Sequence, residues 1–234
     1  MTAGSGPASD PLREAADVMR AVRDRCVWTQ QIDHRALVPY LVEESAELID
    51  AVEDGTRDEL REELGDLLWQ VLFHAEIASR DPDAPFDIDD VARGLTEKMV
   101  RRHPHVFGDA VATTPEEVLV HWNAAKAAEK HHRRSVLEGV SERMPSLALA
   151  QKLVGKAAQV DLPPPPRALS EERSDETKRA APRSEAELGD TLLELVATAR
   201  ENGWDAERAL RERLRRLEGD IRATEAASRR GEIR

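Results

Sequence analysis

Two acid-rich helical segments joined at a glycine constrain this chain more than any other feature. Residues 41–66 carry apolar side chains at helical spacing on either side of Gly55, where the pattern breaks. A capping-box pattern, Thr56 followed three residues later by Glu59, predicts the start of the second helix. Because so short a connection favours antiparallel neighbours, we expect the chain to fold around one helical hairpin.

Acidic side chains of this hairpin are expected to converge at the seam between its helices. Three stand on the first helix and two on the second, beside the apolar stripe in each case: Glu43, Glu44, Glu47, Glu63 and Asp66. Like charges this close oppose ionisation unless a cation joins them, and hard oxygen ligands suit Mg²⁺ or Mn²⁺. The alternative is that they lie on the solvated faces of surface helices, and the spacing alone leaves both interpretations open.

The surrounding sequence predicts further helices and no strands. Apolar periodicity indicates a helix over residues 11–25, and another over about 36–54 leads into the hairpin. Asp87 and the Thr-Pro-Glu-Glu sequence at 114–117 have the residue types of helix starts. No stretch between these points alternates like a strand. We therefore predict an all-α bundle of four or five helices.

Composition narrows the partners of the chain. The formal charge is −12, whereas duplex nucleic acid and anionic membranes reward basic surfaces, so neither is expected as the main partner. No apolar run is long enough to span a bilayer, and the first residues lack the apolar core of a signal peptide. The single cysteine, Cys26, cannot form an internal disulfide, which favours a reducing cytoplasm.

Several sequence blocks stand in an order that one enzyme family shares. E-E-x-x-E at 43–47 and E-x-x-D at 63–66 are followed by L-G-D-L-L-W-Q-V-L-F-H-A at 64–75, K-M-V-R-R-H-P-H-V-F at 98–107 and W-N-A-A-K at 122–126. Together they resemble the MazG-type nucleoside triphosphate pyrophosphohydrolases. The resemblance implies an all-α homodimer that uses metal ions to hydrolyse nucleoside triphosphates to the monophosphate and pyrophosphate, in housecleaning of the nucleotide pool.

The same resemblance implies roles for the acidic residues. Those assigned mainly to metal are Glu43, Glu47, Glu63 and Asp66. Glu44 would either bind metal as well or orient the attacking water as a base. His103 and His105 are metal ligands by residue type, but the proline between them and the carboxylate-rich site favour structural roles.

The resemblance also implies substrate-binding residues. Lys98 and Arg102, four apart on one helical face, are expected to bind the β- and γ-phosphates, and Lys126 to do so from the next helix. Without the resemblance, Lys98 and Arg102 would be interpreted as a solvated basic helix end. Trp122 is expected near the base or ribose. Trp28 would either stack on a nucleobase or plug the end of the bundle.

The chain is expected to contain one active module and a degenerate copy. The predicted divisions are a disordered tail at 1–9, the catalytic module at 10–133, a connecting helical segment at 134–162, a proline-rich, charged, disordered linker at 163–183, and an eroded helical module at 184–234. E-L-G-D at 187–190 echoes residues 63–66. The acids before it are either vestigial or become ordered when metal binds: Glu171, Glu172 and Asp175.

Two other functions fit parts of this pattern. A dUTPase-like or phosphoribosyl-ATP pyrophosphohydrolase would share the metal motif, although the R-R-H-P-H-V-F block at 101–107 favours the MazG type. A non-catalytic helical scaffold that dimerises and binds a protein through its C-terminal half would have no need for metal at the acidic seam.

Overall fold

The computed structural model of the chain describes residues 10–160, 162 and 181–231. Within these residues it contains nine α-helices and no β-strand, so the predicted all-α class is confirmed. The chain divides between Glu129 and Lys130 into two compact units. Several predictions concern residues outside the described ranges: the tail at 1–9, most of the linker at 163–183, and Glu171, Glu172 and Asp175.

The first unit is a helical bundle centred on its longest helix. Its helices are α1 (Pro11–Arg25), α2 (Val38–Glu53), α3 (Arg57–Ala78), α4 (Ile88–Arg102), α5 (Pro104–Phe107) and α6 (Pro115–Glu129). Helix α3 packs against α1, α2 and α4, and α4 packs in turn against α6. The α2–α3 hairpin therefore lies at the centre of the unit, as the acid-rich segments predict.

The turn between α2 and α3 is formed by the residues that predicted it. The Thr56 hydroxyl accepts a hydrogen bond from the backbone N–H of Glu59, and the Glu59 carboxylate accepts one from the Thr56 N–H. A Cβ atom on Gly55 would lie 2.6 Å from the Cα of Ala51, so no larger residue fits without a backbone shift. The reversal of the chain that brings the two acidic helices together thus depends on glycine and a capping box.

Helix α5 is the one helix that the sequence analysis did not anticipate. Pro104 ends α4 as expected, because a proline cannot continue the hydrogen bonding of a preceding helix. It also occupies the first position of a new single turn, where its missing N–H would have no intrahelical partner anyway. The chain therefore changes direction at His103 before it enters α6.

The core of this unit joins the loop after α1 to α3. Ile32, Leu37 and Phe73 form a buried cluster, and partly buried side chains pack around it: Met19, Trp69 and Ile77. Leu37 lies at the start of α2 and Phe73 in the second half of α3, so this cluster fixes the position of the hairpin relative to α1.

The second unit contains three helices among its described residues. They are α7 (Ser146–Ala157), α8 (Glu185–Glu201) and α9 (Ala206–Gly231), and α7 packs against both of the others. Its buried apolar residues lie on α8: Val196, Ala197 and Ala199. In neither unit does a described helix combine the length and the apolar character needed to cross a membrane.

We expect Phe73→Ala to lower the free energy of unfolding by about 3–5 kcal/mol, because it removes a completely buried ring and leaves a cavity. Leu12→Ala is the control, since that side chain is 65% exposed and its loss should change stability by no more than about 0.5 kcal/mol. Urea denaturation followed by circular dichroism measures both. Equal effects of the two substitutions would contradict the core described above.

Candidate functional site

Three of the five predicted carboxylates come together between α2 and α3. Glu44 on α2 and Glu63 and Asp66 on α3 each offer one oxygen, and these oxygens all lie within 4.8 Å of one another. All three side chains are half-buried. Among the described residues this is the one group of acidic, histidine or cysteine side chains with metal-binding proximity.

The donor set of this cluster fits a hard divalent cation. Oε2 of Glu63 is buried and has no hydrogen-bond partner among the described residues. A buried carboxylate oxygen without a partner is costly, and a cation bound there would remove that cost. The cluster consists of carboxylate oxygens, which are the ligands that Mg²⁺ and Mn²⁺ prefer.

Crowding and burial shift the protonation of two of these groups. The pKa of Glu44 is raised, first by loss of solvent contact and then by the charges of Asp66, Glu47, Glu43 and Glu63. The pKa of Glu63 is also raised, again first by desolvation and then chiefly by Glu47 and Asp66. Both shifts favour the neutral acid, which is what like charges without a counter-ion are expected to do.

The other two predicted ligands lie at the edge of the cluster. Glu43 and Glu47 are exposed on α2 and do not join the group of oxygens within 4.8 Å. Their charges nevertheless reach it, since Glu47 raises the pKa of both Glu44 and Glu63, and Glu43 raises that of Glu44. The structure therefore distinguishes an inner group of three carboxylates from two outer ones.

Arg102, a predicted phosphate-binding residue, is held by a carboxylate that the sequence analysis missed. Its Nε and Nη2 donate to Oε1 and Oε2 of Glu129 at 3.2 and 2.5 Å. Arg101 donates to Oε1 of the same carboxylate at 2.8 Å. Hydrogen bonds from Arg102 and Arg101 lower the pKa of Glu129 to about 2. The guanidinium carbon of Arg102 lies 4.9 Å from the ring centre of Trp122, so the cation also contacts an aromatic face.

The remaining cationic candidates lie on the same two helices. Lys98 stands one turn before Arg102 on α4, and Lys126 one turn after Trp122 on α6; both side chains are half-buried. Helix α4 packs against α3 on the acidic hairpin and also against α6, so it lies between the hairpin and the second basic helix. This arrangement can present cations beside an anionic ligand whose metal is bound at α2 and α3.

The two histidines expected to be structural make contacts of that kind. Nδ1 of His103 lies 2.7 Å from the carbonyl oxygen of Met99, and its ring meets Trp122 edge-on at 5.2 Å between centres. The ring of His105 stacks on His121 at 6.0 Å. These contacts connect the chain around α5 to α6.

Trp28 lies beside an aromatic neighbour at the start of α2. The residue is 52% exposed, and its ring meets that of Tyr40 edge-on, with 6.4 Å between ring centres. This exposure leaves the ring accessible, and both predicted roles, stacking on a nucleobase and plugging the end of the bundle, stay predictions. Tyr40 was not predicted as a site residue, although an aromatic residue three positions before Glu43 was a signal available in the sequence.

Gln70 is a third residue, after Glu129 and Tyr40, that was not predicted from the sequence. It is 1% exposed, and both polar atoms of its amide have no partner among the described residues. It follows Asp66 by four positions and Glu63 by seven, so all three lie on one face of α3. A lone amide inside the apolar run at 67–73 was the signal available in the sequence. The polar face of α3 that carries the carboxylate cluster thus continues into the interior.

A family model and several known proteins match this chain, and all of those described below point to the same family. A family model described as the MazG nucleotide pyrophosphohydrolase domain matches residues 32–107, which include all five carboxylates, Lys98 and Arg102. The chain is 39% identical over 215 residues to the nucleoside triphosphate pyrophosphohydrolase/pyrophosphatase MazG of Thermotoga maritima, covering 88% of this chain and 82% of that protein.

Two further relatives carry similar names. The nucleoside triphosphate pyrophosphohydrolase of Escherichia coli K12 is 34% identical over 224 residues, which cover 89% of this chain and 84% of that protein. The nucleoside triphosphate pyrophosphohydrolase of Mycobacterium tuberculosis is 44% identical over 164 residues, covering 70% of this chain and 50% of that protein.

The raised pKa values of Glu44 and Glu63 predict an unusual dependence of stability on pH in metal-free protein. The folded state holds these two protons more tightly than the unfolded chain, so the stability they contribute is present in acid and lost as pH rises through the raised pKa values. Glu63→Gln should therefore make the metal-free protein more stable than wild type at neutral pH but not in acid.

Thermal melts from acidic to neutral pH, followed by circular dichroism, measure the difference in stability between the wild type and Glu63→Gln. Addition of Mg²⁺ or Mn²⁺ should stabilise the wild type at neutral pH more than Glu63→Gln, because the cation needs the ionised carboxylate. Glu97→Gln, an exposed substitution on α4, is the control and should respond to pH and metal as the wild type does. A metal response of Glu63→Gln equal to that of wild type would contradict the cluster.

Proposed function

This chain belongs to the MazG family of nucleotide pyrophosphohydrolases, and on that premise we propose that it hydrolyses nucleoside triphosphates to the monophosphate and pyrophosphate with metal held at the α2–α3 seam. One observation carries the metal assignment: three half-buried carboxylates converge there, and one buried oxygen of Glu63 has no protein partner in the described part of the chain. A helical scaffold without catalysis would have no reason to place unpaired acids at its centre.

The inner carboxylates are proposed as the metal ligands. Glu44, Glu63 and Asp66 would hold Mg²⁺ or Mn²⁺, and the exposed Glu43 and Glu47 would complete the set from α2. When bound, the metal neutralises phosphate oxygens and lowers the pKa of a coordinated water. Because these ligands stand on two packed helices rather than on loops, their positions are set before substrate arrives.

Glu44 is also the best-placed candidate for a general base. Its pKa is raised by desolvation and by its acidic neighbours, which brings a carboxylate closer to the basicity that proton abstraction from water needs. Attack on the α-phosphorus would transfer the water proton to this side chain while pyrophosphate leaves. Metal binding and proton transfer are both within reach of a carboxylate with two oxygens.

The basic helices are proposed to bind the part of the substrate that becomes pyrophosphate. Lys98 and Arg102 on α4 and Lys126 on α6 would contact the β- and γ-phosphates, since α4 lies between the acidic hairpin and α6. Trp122 and Trp28 would contact the nucleoside. The negative charge that develops on leaving pyrophosphate would then be met by these cations, and such electrostatic stabilisation is usually the largest single contribution to catalysis.

Nucleotide-pool housecleaning follows from the family as the setting of this reaction. A cytoplasmic location, with no nucleic acid or membrane as partner, remains a prediction from the charge of −12 and the single cysteine.

We propose that the chain forms a homodimer, because helix α2 exposes a row of apolar side chains. Apolar side chains stay exposed along this helix in the single chain: Val38, Leu41, Val42, Ile49 and Val52. Val71 and Leu64 on α3 extend the same kind of surface. Apolar residues repeated along one hairpin are typical of a surface that a partner covers, and a second copy would form a larger bundle with it.

Asp66→Asn tests the proposed reaction. The substitution keeps the size of the side chain and removes one ligand charge, so pyrophosphate release should fall by at least about 100-fold while the circular dichroism spectrum is unchanged. The control is Asp58→Asn on the exposed first turn of the same helix, which should keep full activity. Products are identified by ion-exchange chromatography of a panel of nucleoside triphosphates. Orthophosphate and nucleoside diphosphate as products would exclude attack at the α-phosphorus.

Val52→Glu tests the proposed dimer. Val52 is 64% exposed on α2, so a charge there should leave the single chain folded but disfavour burial against a second copy. Sedimentation velocity should show the wild type as a dimer and the variant shifted toward monomer. Val18→Glu on α1, also exposed, is the control and should remain dimeric. A wild type that sediments as a monomer at micromolar concentration would refute the proposal.

A further inference from the structure

Glu129 occupies a position that neither the motifs nor the proposed chemistry uses. It is the last residue of α6, three positions after Lys126 and seven after Trp122, and therefore on the face of α6 that carries both. Its carboxylate binds the two arginines at the end of α4, Arg101 and Arg102. An acid beside expected phosphate-binding cations would weaken anion binding by charge alone, so its presence needs a physical reason.

The geometry around Arg102 gives a physical reason for the presence of Glu129. Two parallel hydrogen bonds join Nε and Nη2 to the two oxygens of Glu129, and the side chains of the pair are only 12% and 17% exposed. The guanidinium also lies against the ring of Trp122 at 4.9 Å. A planar group held along one edge and over one face has little rotational freedom left, which is the usual result of bidentate arginine–carboxylate pairing.

The restraint leaves one edge of the guanidinium available. An arginine has five N–H donors, and the bonds to Glu129 use Nε and Nη2. Nη1 of Arg102 makes no hydrogen bond to any described residue. Arg101, by contrast, is 52% exposed and shares only one oxygen of the same carboxylate. Glu129 thus balances the charge of one arginine of the pair, and the fixed one keeps donors for another anion.

We propose that Glu129 is a positioning residue for pyrophosphate binding: it holds Arg102 so that Nη1 is presented to the β- or γ-phosphate. The proposal rests on the phosphate-binding role of Arg102 stated above. A pre-oriented guanidinium loses less conformational entropy when it binds an anion, which compensates for the nearby negative charge. The low pKa of Glu129 keeps its carboxylate ionised throughout the neutral range, so this restraint does not weaken with ordinary changes of pH.

Product inhibition separates this role from a purely structural one. Arg102 would touch the pyrophosphate part of the substrate and not the nucleoside monophosphate part, so Glu129→Gln should weaken inhibition by inorganic pyrophosphate on the order of tenfold. Inhibition by the nucleoside monophosphate should stay unchanged. The KM for the triphosphate should rise with the pyrophosphate inhibition constant. A substitution that merely loosened the bundle would raise both inhibition constants together or neither.

Two further variants complete the experiment on the full-length chain. Arg101→Gln is the matched control, because it removes the exposed partner of the same carboxylate and should leave inhibition by pyrophosphate unchanged. Glu129→Asp keeps the charge but withdraws it from Arg102, so it should give a smaller defect of the same kind and serves if Glu129→Gln does not fold. In an Arg102→Lys background, Glu129→Gln should add nothing, since the two act through one contact.

The outcomes distinguish this proposal from the function on which it rests. A wild type that neither releases pyrophosphate nor is inhibited by it would refute the proposed function. If the wild type is inhibited by pyrophosphate and Glu129→Gln is inhibited equally, the positioning role is wrong while the function stands. Additive effects of the Glu129 and Arg102 substitutions would likewise show that Glu129 does not act through Arg102.

Discussion

The crowding of carboxylates between α2 and α3 is the constraint on which the rest of the first unit depends. Three acidic oxygens within 4.8 Å repel one another, and burial of Glu63 Oε2 adds to the cost. The carboxylates stay close together because the hairpin is held by apolar packing, which their repulsion does not weaken. Phe73 and Leu37 are completely buried in the same hydrophobic cluster. The stability of the core thus offsets the repulsion among these carboxylates, as is common where function opposes stability.

The first unit contains an acidic cluster between α2 and α3 and a basic one at the end of α4, and the protein treats their charges differently. At the acidic seam no described cation pairs with the three inner carboxylates, and burial and mutual repulsion raise the pKa of Glu44 and Glu63. At the end of α4 the arginines are partly neutralised by Glu129, and the pKa shift there runs in the opposite direction. An acidic seam that can accept a cation and an arginine that can still bind an anion together suit a substrate made of metal and phosphate.

Helix boundaries and the location of the two acidic motifs were accessible from sequence because both depend on local chemistry. The capping box at Thr56 and Glu59 and the first-turn acids after Asp87 act within one turn of the chain, and the structure contains both caps. The resemblance to the MazG family, confirmed by the matched domain and by relatives over more than four-fifths of the chain, likewise rests on short ordered blocks. Helix α5 was missed because a single turn of four residues is too short to show a helical period in the sequence.

The sequence by itself determined the all-α class, the two acidic motifs and the family, since periodicity, capping and motif spacing are properties of neighbouring residues. Only the tertiary structure decided which acids form the inner group, because side chains one position apart, such as Glu43 and Glu44, differ in burial only once α2 packs on α3. It alone connected Glu129 with Arg102, which are 27 residues apart, and left Gln70 buried on the helical face that carries Glu63 and Asp66. Burial and the pairing of side chains across helices depend on how the helices pack, and no local sequence pattern predicts this packing.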